Sequence, residues 1–202
     1  RIDATANSVD GDTSALSALI DATVSCMANV GQKGTTVRMI AEEAGVTQGL
    51  VKHHFGNKDA LLVETYRHLN ESSVSRISQA LDTHPDDIGS ALESAIKALF
   101  PHDLSDVRKM RVLVAFWGLV LTNPDFSAVQ AETNAQTRQL FCKFIASHGA
   151  TPQKAADAAD GIIALTDGLW LECCMNPARM TPEKAVRIAL GLSRTILGLD
   201  RI

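Results

Sequence analysis

Gln48, Gly49, Lys52 and His53 fall on one face of a short helical segment, QGLVKHHF. An amide, a small residue, an ammonium and an imidazole on such a face can meet base edges and phosphates in a DNA major groove. Thr36, Thr47 and Lys58 lie at or near helix starts in the same stretch, and His54, towards the end of the second helix, joins them as an expected phosphate contact. At a helix start a hydroxyl or ammonium can join free backbone N–H groups in holding phosphate. Arg38 belongs to the same DNA-facing set.

The surrounding residues specify the elements that must hold these groups. Thr35 or Thr36 is a natural N-cap, and Val37, Ile40, Ala41 and Ala44 recur as one buried helical face. Gly45 follows where a left-handed turn residue is required, a conformation that glycine adopts without a Cβ penalty. Thr47 can cap a second helix running to about His53 or His54, with Val46, Leu50, Val51 and His54 turned towards the first. Phe55 would plug the base of the unit, and Asn57 caps the next helix. An ordinary surface hairpin could contain any one of these signals. Their agreement over Gly34 to Leu62 favours a helix-turn-helix, with duplex DNA as its partner.

Composition fits an all-α protein. The 202 residues are 46% hydrophobic but only 4% aromatic, which favours helices over a β-sandwich. The net charge of −4 argues against general coating of nucleic acid. Between Gly31 and Lys58, however, Lys33, Arg38, Lys52 and Lys58 outnumber Glu42 and Glu43. A small basic face on an acidic body suits a regulator that must also leave DNA. Cys26, Cys142, Cys173 and Cys174 sit in apolar helical patterns without zinc-ligand spacing. They are expected to be reduced, in a cytoplasmic protein without metal or cofactor. No apolar run approaches membrane-spanning length, so no membrane partner is expected.

The segment TTVRMIAEEAGVTQGLVKHHFGNKDALL, preceded by one amphipathic helix, resembles the tetracycline-repressor (TetR) family of bacterial transcription regulators. The resemblance implies a nine-helix repressor whose three-helix DNA-binding head is followed by a body that dimerises and binds a small effector. Residues 1–13 then read as a flexible arm, 14–57 as the head and 58–202 as the body. The first helix is expected from about Ser14 to Val30, with Leu16, Leu19, Ile20, Ala22, Thr23, Met27 and Val30 in its core stripe. A fourth helix from Lys58 to about Leu81 links head to body, and Pro85 opens a fifth. The apolar run VLVAFWGLVL marks a central sixth, while Asn123-Pro124, Thr151-Pro152 and Thr181-Pro182 start the seventh, eighth and ninth. Helices eight and nine either complete the monomer core or form the seam of a homodimer. A two-fold seam is preferred because one helix-turn-helix reads only a half-site of a palindromic operator.

The segment AFWGLVLTNPDFSAVQAETNAQTRQL, with DGLWLECC beyond it, is similar to the betaine-pathway (BetI-type) repressors of that family. That similarity implies choline as effector. A quaternary ammonium cannot donate hydrogen bonds, so aromatic faces and a carboxylate must recognise it. Trp117 is the first choice of wall, with Phe116 and Phe100 as neighbours. Asp167 and Trp170, three apart on one helical face, would add an anion and a second wall, and Tyr66 would stand near the head–body joint. Buried tryptophans also serve packing alone. Lys52 and His54 depart from the subgroup's usual residues, which points to a different operator sequence. An enzyme is not expected, because the chain lacks a nucleophile elbow, a phosphate-cradling glycine loop and a metal-ligand cluster. An activator or architectural DNA-binding protein, with another effector or none, remains the alternative.

Overall fold

The computed structural model describes residues 6–100 and 104–199. Among these residues it contains nine α-helices and no strand. They are α1 (Ala6–Gly34), α2 (Val37–Ala44), α3 (Gln48–Phe55), α4 (Lys58–Asp82), α5 (Ile88–Leu99), α6 (Leu104–Val120), α7 (Pro124–Ser147), α8 (Pro152–Met175) and α9 (Pro182–Leu197).

Most boundaries follow from local capping. The Thr36 and Thr47 hydroxyls accept from the Met39 and Leu50 amides at 3.2 and 3.3 Å, opening α2 and α3. Asn57 accepts from Ala60 N at 2.9 Å and opens α4. Asn123, Thr151 and Thr181 do the same for the three proline-led helices α7, α8 and α9. Gly45 closes α2 at φ 67°, in the left-handed region.

Three expectations require correction. The helix α1 begins at Ala6 rather than Ser14, so residues 6–13 are helical and only residues 1–5 of the expected arm lie outside the described residues. It also runs past Val30, breaking at Gly31 (φ 71°), and Val30 is 47% exposed instead of buried. Pro85 does not open α5: Asp87 caps it, its carboxylate accepting from the Gly89 and Ser90 amides at 3.0 and 3.2 Å. A carboxylate aimed at two free amides defines a helix start more strongly than a proline two positions earlier.

Two apolar cores share α1 and α4. The smaller joins Leu19, Ala22 and Cys26 of α1 to Ile40, Ala41, Val51 and Leu61, with Phe55 packed against it as expected. The larger takes Val24 and Met27 from α1 and Leu62, Tyr66, Leu69, Ile77 and Leu81 from α4 into the body. Each of these two helices therefore has one set of side chains in the head and another in the body. A shift of either helix relative to the body must be felt at α2 and α3, because close-packed cores do not absorb displacement.

Candidate functional site

The candidate DNA-facing surface is built by α2, α3 and the turn between them. Val51 is 1% exposed and seals α3 onto the head core, which turns Gln48, Gly49, Lys52 and His53 outward. Gln48, Gly49 and Lys52 also line a shallow groove with Val37, Gly56 and Asn57. Thr36 and Thr47 are exposed at the helix N-termini. Each hydroxyl oxygen is occupied as a cap acceptor, so its O–H stays available to a phosphate oxygen. Arg38 lies on the same exposed side, 3.7 Å from Glu42 in an exposed ion pair, a contact weak enough to be exchanged for phosphate.

Two expected phosphate ligands are placed differently. His54 is half-buried, its Nε2 shielded from solvent and its ring set edge-on to His53 at 5.4 Å, so it serves the inner side of α3. The Lys58 ammonium donates to the Gln32 carbonyl at 2.9 Å. It ties the start of α4 to the end of α1, a side-chain cap that favours the negative end of a helix.

The body contains a cavity of about 70 Å³ between α4, α6, α7 and α8. Trp117, Asp167 and Trp170 all line it, so three of the expected effector residues meet in one place. Facing them on α7 are Gln130, Thr133, Asn134 and Thr137. The expected neighbours divide. Phe100 lines a second cavity of about 80 Å³ at the head–body joint, where Trp170 again forms part of the wall with Arg76, Lys109 and Asp21. Phe116 and Tyr66 line neither cavity. Both are 0% exposed and stack with Phe126 in an aromatic core, at centroid distances of 5.0 to 5.6 Å. Three mutually packed rings gain more from one another than from a solvated pocket.

Burial controls the charges in this region. It raises the Asp167 carboxyl to about 6, well above the usual carboxylate range. Tyr66 is pushed up to about 12, first by burial, with the nearby Asp167 carboxylate adding to the rise and the Asn70 and Trp117 side chains opposing it. Among the described residues, the Trp170 indole N–H is buried without an acceptor. A buried orphan donor beside a cavity is a ready partner for a ligand oxygen or a water. Asn134, Ile163 and Asp167 also line an outer groove that contains Arg138 and Asp160. The mouth of the cavity therefore lies between α7 and α8, beside a bidentate Arg138–Asp160 ion pair at 2.7 and 3.3 Å.

The α7 residues were not among the expected ligands. Their signal was legible, since Gln130, Thr133, Asn134 and Thr137 recur at the three- and four-residue spacing of a single helical face. Such a stripe also describes an ordinary solvated surface, and only the packing of α7 over α4 and α8 turns it inward. Among the described residues no cluster of His, Cys, Asp and Glu could hold a metal ion, and no single helix is long and apolar enough to cross a membrane. Cys26 and Cys173 are buried and Cys142 and Cys174 half-buried, all as free thiols.

Comparisons with known proteins match two separate parts of the chain. Residues 19–65 match the bacterial regulatory proteins of the tetR family, and residues 89–198 match the C-terminal part of BetI-type transcriptional repressors. The HTH-type transcriptional regulator BetI of Burkholderia cenocepacia is 32% identical over 184 residues, covering 90% of this chain and 93% of that protein. BetI of Paraburkholderia xenovorans is 32% identical over 173 residues, or 85% of this chain and 87% of that one. A transcriptional regulator from Rhodococcus sp. Rha1 superposes with a TM-score of 0.78 at 30% identity, covering 89% of this chain and 96% of its own. These likenesses indicate a regulator rather than an enzyme, and the chain belongs to the TetR family of DNA-binding transcriptional regulators, with a BetI-type C-terminal domain.

Proposed function

We propose that the protein is a homodimeric repressor that sits on a palindromic operator and leaves it when a small cation, choline or a related quaternary amine, occupies the α7–α8 cavity. The observation that carries this reading is the convergence of Trp117, Trp170 and Asp167 on one cavity. Two indole faces and a carboxylate are what a cation without N–H donors requires. Gln48, Lys52 and His53 are assigned to base edges, with Gly49 allowing close approach. Thr36, Arg38 and Thr47 are assigned to phosphates. Such a role places the protein in the cytoplasm, with the DNA.

The dimer reading is supported by an apolar face that the monomer leaves uncovered. Leu171 and Met175 on α8 are 38% and 61% exposed, and Leu192 and Ile196 on α9 are 49% and 39% exposed. Ala164 and Gly168 continue the α8 stripe as exposed small residues, which permits close approach of a second helix pair. A contiguous apolar face of this kind marks an interaction surface, and two-fold pairing would cover it with its own copy.

Titration of the DNA upstream of the protein's own gene, followed by fluorescence anisotropy with and without choline, tests the reading. Tight binding that choline weakens tenfold or more supports it, a change of about 1.4 kcal/mol. Tight binding with no response to choline or related amines would instead favour a different effector or none.

A further inference from the structure

We propose that Gln130 is a positioning residue that holds α4 through Tyr66 and yields that hold to a ligand in the cavity. The inference rests on the reading of the α7–α8 cavity as the effector site. The Tyr66 hydroxyl donates to Gln130 Oε1, and Gln130 Nε2 donates onward to Asn134 Oδ1 at 2.7 Å. Tyr66 is fully buried on α4, whereas Gln130 and Asn134 both line the cavity and Asn134 reaches its mouth. One side-chain amide thus faces two ways. Its carbonyl fixes the helix that carries the head, and its N–H serves the cavity wall.

A Gln side chain has a single carbonyl oxygen, and rotating its amide exchanges acceptor for donor. A ligand hydroxyl that donates to Gln130 Oε1, or an acceptor that reorients the amide, competes directly with Tyr66. Loss of that bond leaves the buried phenol without the Gln130 acceptor, with only the Asn70 and Trp117 side chains beside it, a cost that favours a new position of α4. Because Leu61 at the start of α4 is part of the head core, the displacement reaches α2 and α3. A second tie between α4 and α7, the Arg67–Glu132 ion pair at 3.0 Å, lies on the surface and lines neither cavity. It supplies an internal control.

The test is a double-mutant cycle on operator affinity in the full-length protein without any ligand, using Tyr66→Phe, Gln130→Leu and the double variant. Each single change is expected to weaken operator binding about three- to tenfold, the worth of one hydrogen bond. The double variant should lose no more than the larger single loss. In Tyr66→Phe, choline should still change the tryptophan fluorescence but weaken DNA binding no further. Arg67→Gln should leave the choline response intact. Additive losses, unchanged operator affinity in both single variants, or an Arg67→Gln variant that also loses its response would overturn the proposal. Failure of choline to bind the wild type would remove choline as the effector and overturn the ligand-release half of the proposal for that cation, whereas the ligand-free cycle separately decides whether Gln130 and Tyr66 act as a unit.

Discussion

The Lys58 ammonium lies 2.9 Å from the carbonyl oxygen of Gln32, joining the first residue of α4 to the end of α1. The same lysine, read from sequence, stood at a helix start where phosphate binds. The two roles separate experimentally. Lys52→Ala should reduce the slope of log K against log salt by about one, as for a lost phosphate contact. Lys58→Ala should change that slope much less, and should lower thermal stability by about 1 kcal/mol for a partly exposed charged hydrogen bond. Equal slope changes in the two variants would return Lys58 to the DNA.

Asp167 makes both stability and ligand binding depend on pH. Its carboxyl titrates at about 6 in the folded protein against an ordinary value of 3.8. Between those values the folded chain keeps a proton that the unfolded chain has released, so stability falls as pH rises through this window and stays lower above it. Asp167→Asn should therefore stabilise the ligand-free protein at pH 7, on the order of 1–3 kcal/mol, and flatten its melting temperature between pH 4 and about 6. A cation binds the ionised form, so choline affinity in the wild type should rise with pH up to about 6 and then level off. Calorimetry across that range would expose a pH-independent affinity, which contradicts the assignment.

Trp117 should contribute through its ring face. Trp117→Ala is expected to weaken choline binding by about 1–2 kcal/mol, and Trp117→Phe by less, because a smaller quadrupole still faces the cation. Unchanged affinity in both variants would move the cation elsewhere.

The exposed apolar pair on α9 gives a direct test of assembly. Leu192→Glu combined with Ile196→Glu places charges where 49% and 39% of these side chains are already solvent-exposed. The monomer should therefore retain its helical content. Light scattering should report a monomer, and operator affinity should drop at least tenfold through loss of the second half-site. A dimer that survives both changes would place the seam on another face.

Helix identity was legible because each start is a local event. Thr36, Thr47, Asn57, Asn123, Thr151 and Thr181 each accept an amide two or three residues ahead, and no distant contact is needed to specify that geometry. Trp117, Asp167 and Trp170 were legible as candidates because the BetI-type resemblance implied a quaternary ammonium, which aromatic faces and a carboxylate recognise. Asp87 was missed as a cap because Pro85 gave a louder signal nearby.

By itself, then, the sequence determined the helices found among the described residues, apart from the starts of α1 and α5, together with the polar front of α3 and the residue types available to a cation. Tertiary packing decided which of them meet. Tyr66 and Phe116 went to a sealed cluster with Phe126, Phe100 to a different cavity, Lys58 to a backbone carbonyl, and an unremarked polar stripe of α7 became the wall opposite Trp117. These outcomes join segments far apart in the chain, and they are set by volume and by the pairing of buried polar atoms. Neither quantity is contained in the local spacing of residues along one helix.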